Sequence, residues 1–207
     1  MTFPRLAAAS LAALLGLAAP ALADIITSNN TGTTLSGGAN FAVGQSVTTG
    51  AGGPWNTLSF NLLADTQSGP TPFAVGTLFL LSQPYAGSHT TLSNATPGYI
   101  ADTGTITAGA WDFEDSVALQ ASTQYFFYMG SYVGGPDLLF SSGNPYAGGI
   151  AFQSSPTSSD LYFDIPTADL RFTLQGTQVG ITDTPEPASA LVLATALLAL
   201  RRLRRPA

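Results

Sequence analysis

"DLRFTLQG", Asp169–Gly176, decides the fold class. Side chains alternate along a β-strand, so Leu170, Phe172 and Leu174 take one face and Arg171, Thr173 and Gln175 the other. That pattern predicts a strand with an apolar inner face and a polar outer one. Arg171 faces solvent on this reading and can pair there with an acid, an interaction worth at most about 1 kcal/mol.

Working outward, the same kind of stretch recurs. Thr57–Asp65, Val75–Gln83, Gln124–Val133, Asp137–Ser142, Gly148–Ser154 and Leu161–Ile165 read as strands. "GAGGP", "QSGPTP", "NATPG", "VGGPD", "SGNPYAGG" and "SSPTSSD" stand between them as turns and loops. "WDFEDSVAL", Trp111–Leu119, is expected to point Trp111 and Phe113 inward and Asp112 and Glu114 outward, with a turn or bulge at Asp115-Ser116. No long helical pattern and no solenoid or propeller repeat interrupts the series. Many short strands at even spacing predict an all-β chain with a single β-sandwich.

Charge is sparse and one-sided. The chain has no cysteine, so disulfides and cysteine metal sites are excluded. It has no lysine, and the arginines are Arg5, Arg171, Arg201, Arg202, Arg204 and Arg205. Between Asp24 and Asp183, Arg171 stands alone against eleven carboxylates, a side-chain balance of −10. Nucleic-acid binding is excluded, because phosphate neutralisation needs Lys and Arg. Low charge with abundant Thr, Ser, Gly and Asn suits an extracellular β-protein.

Both ends carry sorting information. Arg5, the apolar stretch Leu6–Leu22 and Ala21-Leu22-Ala23 before Asp24 form a positive n-region, an h-region and a small-x-small cleavage site. Residues 1–23 are therefore expected to be a signal peptide, cut between Ala23 and Asp24. The domain is expected over 24–176, a polar linker over 177–184 and a tail over 185–207. Ala188 to Leu200 is thirteen apolar or small residues. As a helix it covers about 20 Å, against about 30 Å of bilayer core. Arg201, Arg202, Arg204 and Arg205 can snorkel and mark the cytoplasmic end. Such a short span after a rigid Pro-Glu-Pro suits a temporary anchor held for a protease.

Candidate chemistry is thin. His89 is the only histidine, lies in the loop "GSHTT" and has no G-x-S-x-G elbow to serve. Asp112 and Glu114 are the best carboxylate pair, with Cα atoms about 6.5–7 Å apart on one strand face. Catalysis would need a cleft and unlike environments. With Asp115 they are instead a candidate Ca²⁺ ligand set, for which a nearby loop would supply the remaining oxygens. Tyr85, Tyr99 and Tyr146 sit beside Pro or Gly in loops, where exposed rings could stack on sugars. Asn29 and Asn94 match the short N-glycosylation pattern.

At Pro185-Glu186-Pro187, the apolar run and the terminal arginines, the chain resembles the PEP-CTERM sorting signal. The resemblance covers about the last two dozen residues. It implies a Gram-negative host, export across the inner membrane, transient membrane insertion and processing by a membrane protease, exosortase. A second resemblance lies in the middle. Val117, Leu119, Ala121, Thr123 and Tyr125, then Tyr146, Gly148 and Gly149, then Asp169, Leu170 and Phe172 are similar in order to extracellular jelly-roll modules of bacterial surface proteins. It implies a jelly-roll-like sandwich that is not an enzyme. The expectation is an exported surface or matrix protein with a structural or adhesive role in exopolysaccharide, biofilm or floc. The alternatives are a carbohydrate-binding module and a glycoside hydrolase using Asp112 and Glu114.

Overall fold

In a computed structural model of the chain, Asp169–Gly176 lies in a strand line that changes partners at Arg171. The described residues are 23–31, 34–37, 41–66, 69–73, 75–106, 109–130, 138–154 and 160–180. Residues 1–22, with most of the expected signal peptide, and 181–207, with Pro185-Glu186-Pro187, the apolar run and the arginines, lie outside them. Strand β13 (Ala168–Leu170) pairs with β10 (Leu138–Ser142). Arg171 N then donates to Leu139 O, Leu63 N donates to Arg171 O, and β14 (Phe172–Gln178) continues on β4 (Trp55–Thr66). Arg171 is half-buried at this crossover, and its Nε donates to Ser141 Oγ at 3.2 Å.

Every strand pairing is antiparallel. The larger sheet runs β1 (Asp24–Asn29), β14, β4, β10, β13. Onto it add β2 (Thr34–Gly37) beside β10, and β5 (Gly69–Phe73) and β8 (Trp111–Asp112) beside β4. The second sheet runs β12 (Tyr162–Ile165), β11 (Ala151–Ser154), β3 (Val43–Thr48), β9 (Gln124–Met129), β6 (Leu78–Leu81), β7 (Tyr99–Asp102). Among the described residues the only helical turn is the 3-10 turn His89–Thr91, and no helix is long and apolar enough to cross a membrane. The chain is thus all-β, with two antiparallel sheets on one apolar core, an arrangement compatible with a β-sandwich.

Aromatic rings join the sheets. Phe60 of β4 stacks on Phe127 of β9 at 4.5 Å between centroids, and on Phe172 of β14 at 5.6 Å. Phe113 meets Phe127 edge-on. The expected inner residues Trp111, Phe113, Phe172 and Leu174 are all buried. Strand alternation turns Tyr128 to the opposite face from Phe127. There Tyr128, Phe152 and Tyr162 form a second ring cluster, roofed by Tyr85. The smaller sheet is therefore covered on both faces over β3 and β9, which explains why their residues are nearly all buried.

Several boundaries differ from expectation, three of them with a local cause. The Trp111–Leu119 strand is cut to Trp111–Asp112, because the chain turns at Asp115-Ser116 and regains β4 only where Leu119 bridges Trp55. Val75–Gln83 shrinks to β6, since Gly76 makes an isolated bridge with Ile106. The linker begins later than residue 177, because Thr177 and Gln178 pair with β4 and Val179 N donates to Pro54 O.

The Phe60 ring sets the spacing of the sheets. Phe60→Ala is expected to cost about 3–5 kcal/mol, whereas Asp112→Asn at an exposed site should stay within about 0.5 kcal/mol. Urea unfolding of residues 24–184 followed by tryptophan fluorescence measures both.

Candidate functional site

All three candidate carboxylates are exposed. Asp112 stands opposite Ser59 of β4, its side chain exposed. Glu114 and Asp115 are also exposed, on a turn closed by Val117 N donating to Glu114 O. Among the described residues no three His, Asp or Glu side chains gather as a metal-holding group.

His89 is fixed by its backbone. Its N–H donates to Asp160 O at 3.1 Å, and its Nε2 lies 3.8 Å from Asp160 Oδ1. Its Nδ1 is buried without a partner. The adjacent hydroxyl is not offered to the imidazole, because Ser88 Oγ caps the 3-10 turn by accepting from Thr90 N and also bonds Thr90 Oγ1. The segment Gly87–His89 pairs along the outer edge of β12, through Tyr162 N to Gly87 O and a bridge from Ser88 to Leu161. His89 therefore belongs to an edge cover rather than to a hydrolytic triad.

The three loop tyrosines are not exposed platforms; each is half-buried and hydrogen-bonded. Tyr85 N donates to Tyr128 Oη, and its own hydroxyl donates to Ser88 O. Tyr99 opens β7 and donates to Asp102 Oδ2 at 2.9 Å; burial, with that carboxylate beside it, raises its phenol above the usual range. The Tyr146 ring stands edge-on to Phe172 at 5.1 Å. Its hydroxyl donates to Thr48 O and accepts from Thr48 N and Thr27 Oγ1. Proximity to Pro or Gly carried no information on burial, and each hydroxyl found a partner, backbone for Tyr85 and Tyr146 and the Asp102 carboxylate for Tyr99.

Polar groups do converge in one place, around Asp169. Its side chain is inaccessible to solvent. Oδ1 accepts from Gln45 Nε2 at 3.1 Å, and Oδ2 accepts from Tyr146 N at 2.9 Å. Asn144, with its amide nitrogen turned to the carboxylate, lies 2.8 Å from Oδ2 and 3.3 Å from Oδ1. Asn144 reaches it from a left-handed conformation (φ 49°), which Asn tolerates better than most residues. Gln45 also accepts from Leu170 N at 2.9 Å and donates to Ser46 O at 3.0 Å. Gly149 seals the loop: a Cβ there would run into Ser46 O. The Tyr146-x-Gly148-Gly149 and Asp169-Leu170-x-Phe172 elements noted in the sequence thus meet in space. The other element closes similarly, with Gln120 N donating to Tyr125 Oη at 2.8 Å and Thr49 Oγ1 donating to Gln120 O at 2.6 Å. These contacts bind strand to strand.

No family model matches this chain, and no curated protein and no solved structure matches it.

Burial raises the Asp169 carboxyl above its ordinary value of 3.8, with the Tyr146 and Gln45 hydrogen bonds pulling the other way. A raised pKa means that the folded state holds the proton more tightly than the unfolded one. The contribution of this group to stability is then greatest in acid and falls as pH rises through that window. Asp169→Asn turns a donor towards donors and should cost roughly 1–3 kcal/mol. The gap between parent and variant should widen as pH is lowered from neutral towards 4. Urea midpoints across that range measure it, and a narrowing gap would show that the hydrogen bonds outweigh desolvation.

Proposed function

We propose that the chain is an exported, exosortase-sorted surface or matrix protein whose β-domain has a structural or adhesive role in an exopolysaccharide matrix, biofilm or floc. The observation that carries the reading is the pairing of two ordered signals on one chain. Arg5, Leu6–Leu22 and Ala21-Leu22-Ala23 stand at one end; Pro185-Glu186-Pro187, Ala188–Leu200 and Arg201–Arg205 stand at the other. Strand β1 opens at Asp24, the first residue after the cleavage site on this reading. The finer architecture belongs to the same proposal: a jelly-roll-like sandwich with signal peptide and short anchor outside it. A matrix role suits a domain whose buried polar groups are spent on cross-strand bonds, as those of Asp169, Gln45 and Tyr146 are.

The sorting corner has a physical logic. Pro185 and Pro187 fix φ near −65° and offer no N–H, and they push Thr184 and Glu186 towards extended geometry. An extended segment at the outer interface is what a protease can bind, and Glu186 adds a charge that the hydrocarbon rejects. Surface-released protein is expected to begin at Asp24 and to lack Arg201–Arg205 by intact mass. Glu186→Ala should leave export intact while full-length precursor accumulates in the membrane fraction. Release as efficient as the parent's would reduce the corner to a helix stop.

A further inference from the structure

The two segments that flank the domain leave it at one pole. Asp24, first residue of β1, pairs with Gly176 near the end of β14. Two residues on, Gln178 pairs with Trp55, and Val179 N bonds Pro54 O before the turn at Gly180. The chain therefore enters at Ala23 and leaves at Gly180 from adjacent strands, about 5 Å apart laterally.

The surface of this pole differs from the rest. The neighbouring loop Gly50–Gly53 is uncharged, and Ser122 N donates to Gly50 O beside it. Val179 is 42% exposed, and Ile25, one strand over, is 62% exposed, two of four large apolar side chains standing out among the described residues. Among the described residues Asp24 is the acid on the pole, and Asp183 follows three residues after Gly180. The next acids, Glu114 and Asp115, lie between the rungs of Leu58 and Trp55 on the edge of β4 away from β14. That is about 10 Å further across the sheet. A surface that holds anionic lipid repels acids, and Ile25 and Val179 give this pole apolar side chains to set against lipid.

We infer that in the membrane-inserted precursor this pole, with Ala51 and Val179, faces the bilayer, and the end bearing Thr167 points away. The inference rests on the sorting reading, which puts apolar segments on both sides of the domain. Seven residues separate Gly180 from Ala188. Fully extended they span at most about 25 Å, which bounds the stand-off. Thr167 is exposed in the turn before β13, eleven residues up the β13–β14 line from Gln178. β14 alone carries the chain about 23 Å from Gln178 to Arg171, and β13 with Thr167 lies beyond that point.

The absence of cysteine makes a direct test available, because one introduced thiol is the only label site. Full-length Ala51→Cys, Val179→Cys and Thr167→Cys are inserted into vesicles of phosphatidylethanolamine and phosphatidylglycerol and labelled with a fluorophore. Vesicles are then recovered by flotation, and quenching by a headgroup spin-labelled lipid is measured on floated protein. Quenching several-fold stronger at 51 and 179 than at 167 is expected. Equal quenching at the three sites, or stronger quenching at 167, overturns the orientation while leaving the anchor intact. Protein that fails to float overturns the anchored reading and the orientation with it.

Discussion

A carboxylate buried without a cation holds this fold together. Moving an ionised carboxylate out of water is costly unless hydrogen bonds replace the water. Arg171 is the only cation between Asp24 and Asp183, so N–H donors must do it. Asp169 on β13 takes them from Gln45 on β3 and from Asn144 and Tyr146 in the loop after β10. One side chain thereby ties β13 to the other sheet and fixes the path of a loop. The loop passes the constraint on, because Tyr146 then ties Thr48 of β3 to Thr27 of β1. Taking away one donor leaves charge buried and unmet, which costs more than the bond alone.

The same economy appears elsewhere. With neither disulfides nor lysine, the domain relies on rings whose hydroxyls reach backbone. Tyr162 donates to Met129 O at 2.5 Å beneath Tyr128 and Tyr85. Burial lifts the Tyr128 and Tyr162 phenols well above their usual range, so both stay neutral, Tyr162 donating to Met129 O and Tyr128 accepting from Tyr85 N. Trp111 Nε1 donates to Gly76 O, which fixes the otherwise irregular stretch before β6. Tyr162 and Trp111 thus serve twice, filling volume between elements and supplying a bond to backbone.

Strands with plain alternation were legible: Leu170, Phe172 and Leu174 announced β13 and β14, and the apolar faces of Trp111 and Phe113 were right. What sequence reading missed was strand β3, "VGQSVT", although it lies at the centre of the smaller sheet. Gln45 and Ser46 look like surface residues, and only the register with Asp169 and Ile150 explains their burial. Strand β7 was hidden because Pro97-Gly98 directly precedes it and drew Tyr99 into a loop assignment. Strand β1 was overlooked beside the cleavage site, where attention went to sorting. The Tyr-x-Gly-Gly and Asp-Leu-x-Phe elements were visible as a pair. Their meeting was not, since it depends on β13 crossing behind β3, a long-range fact that no local pattern encodes.

Topology also constrains the order of events on the proposed export route. β14 lies between β1 and β4 and supplies Phe172 and Leu174 to the core. The first and last strands of the domain are thus hydrogen-bonded neighbours, and pairings at such sequence separation close slowly. Until β14 has crossed the membrane, β1 has no partner and Gln45 has no carboxylate to hold. Pro185 follows Gln178 by seven residues, so the sorting corner arrives at the outer interface just as the last strand becomes free to fold. A tail that stopped earlier would keep β14 from the sheet. One that passed through would release an unclosed edge of the kind that aggregates. On the proposed reading, a short anchor just beyond the last strand would hold the domain at the membrane for the interval in which β1, β14 and β4 come together.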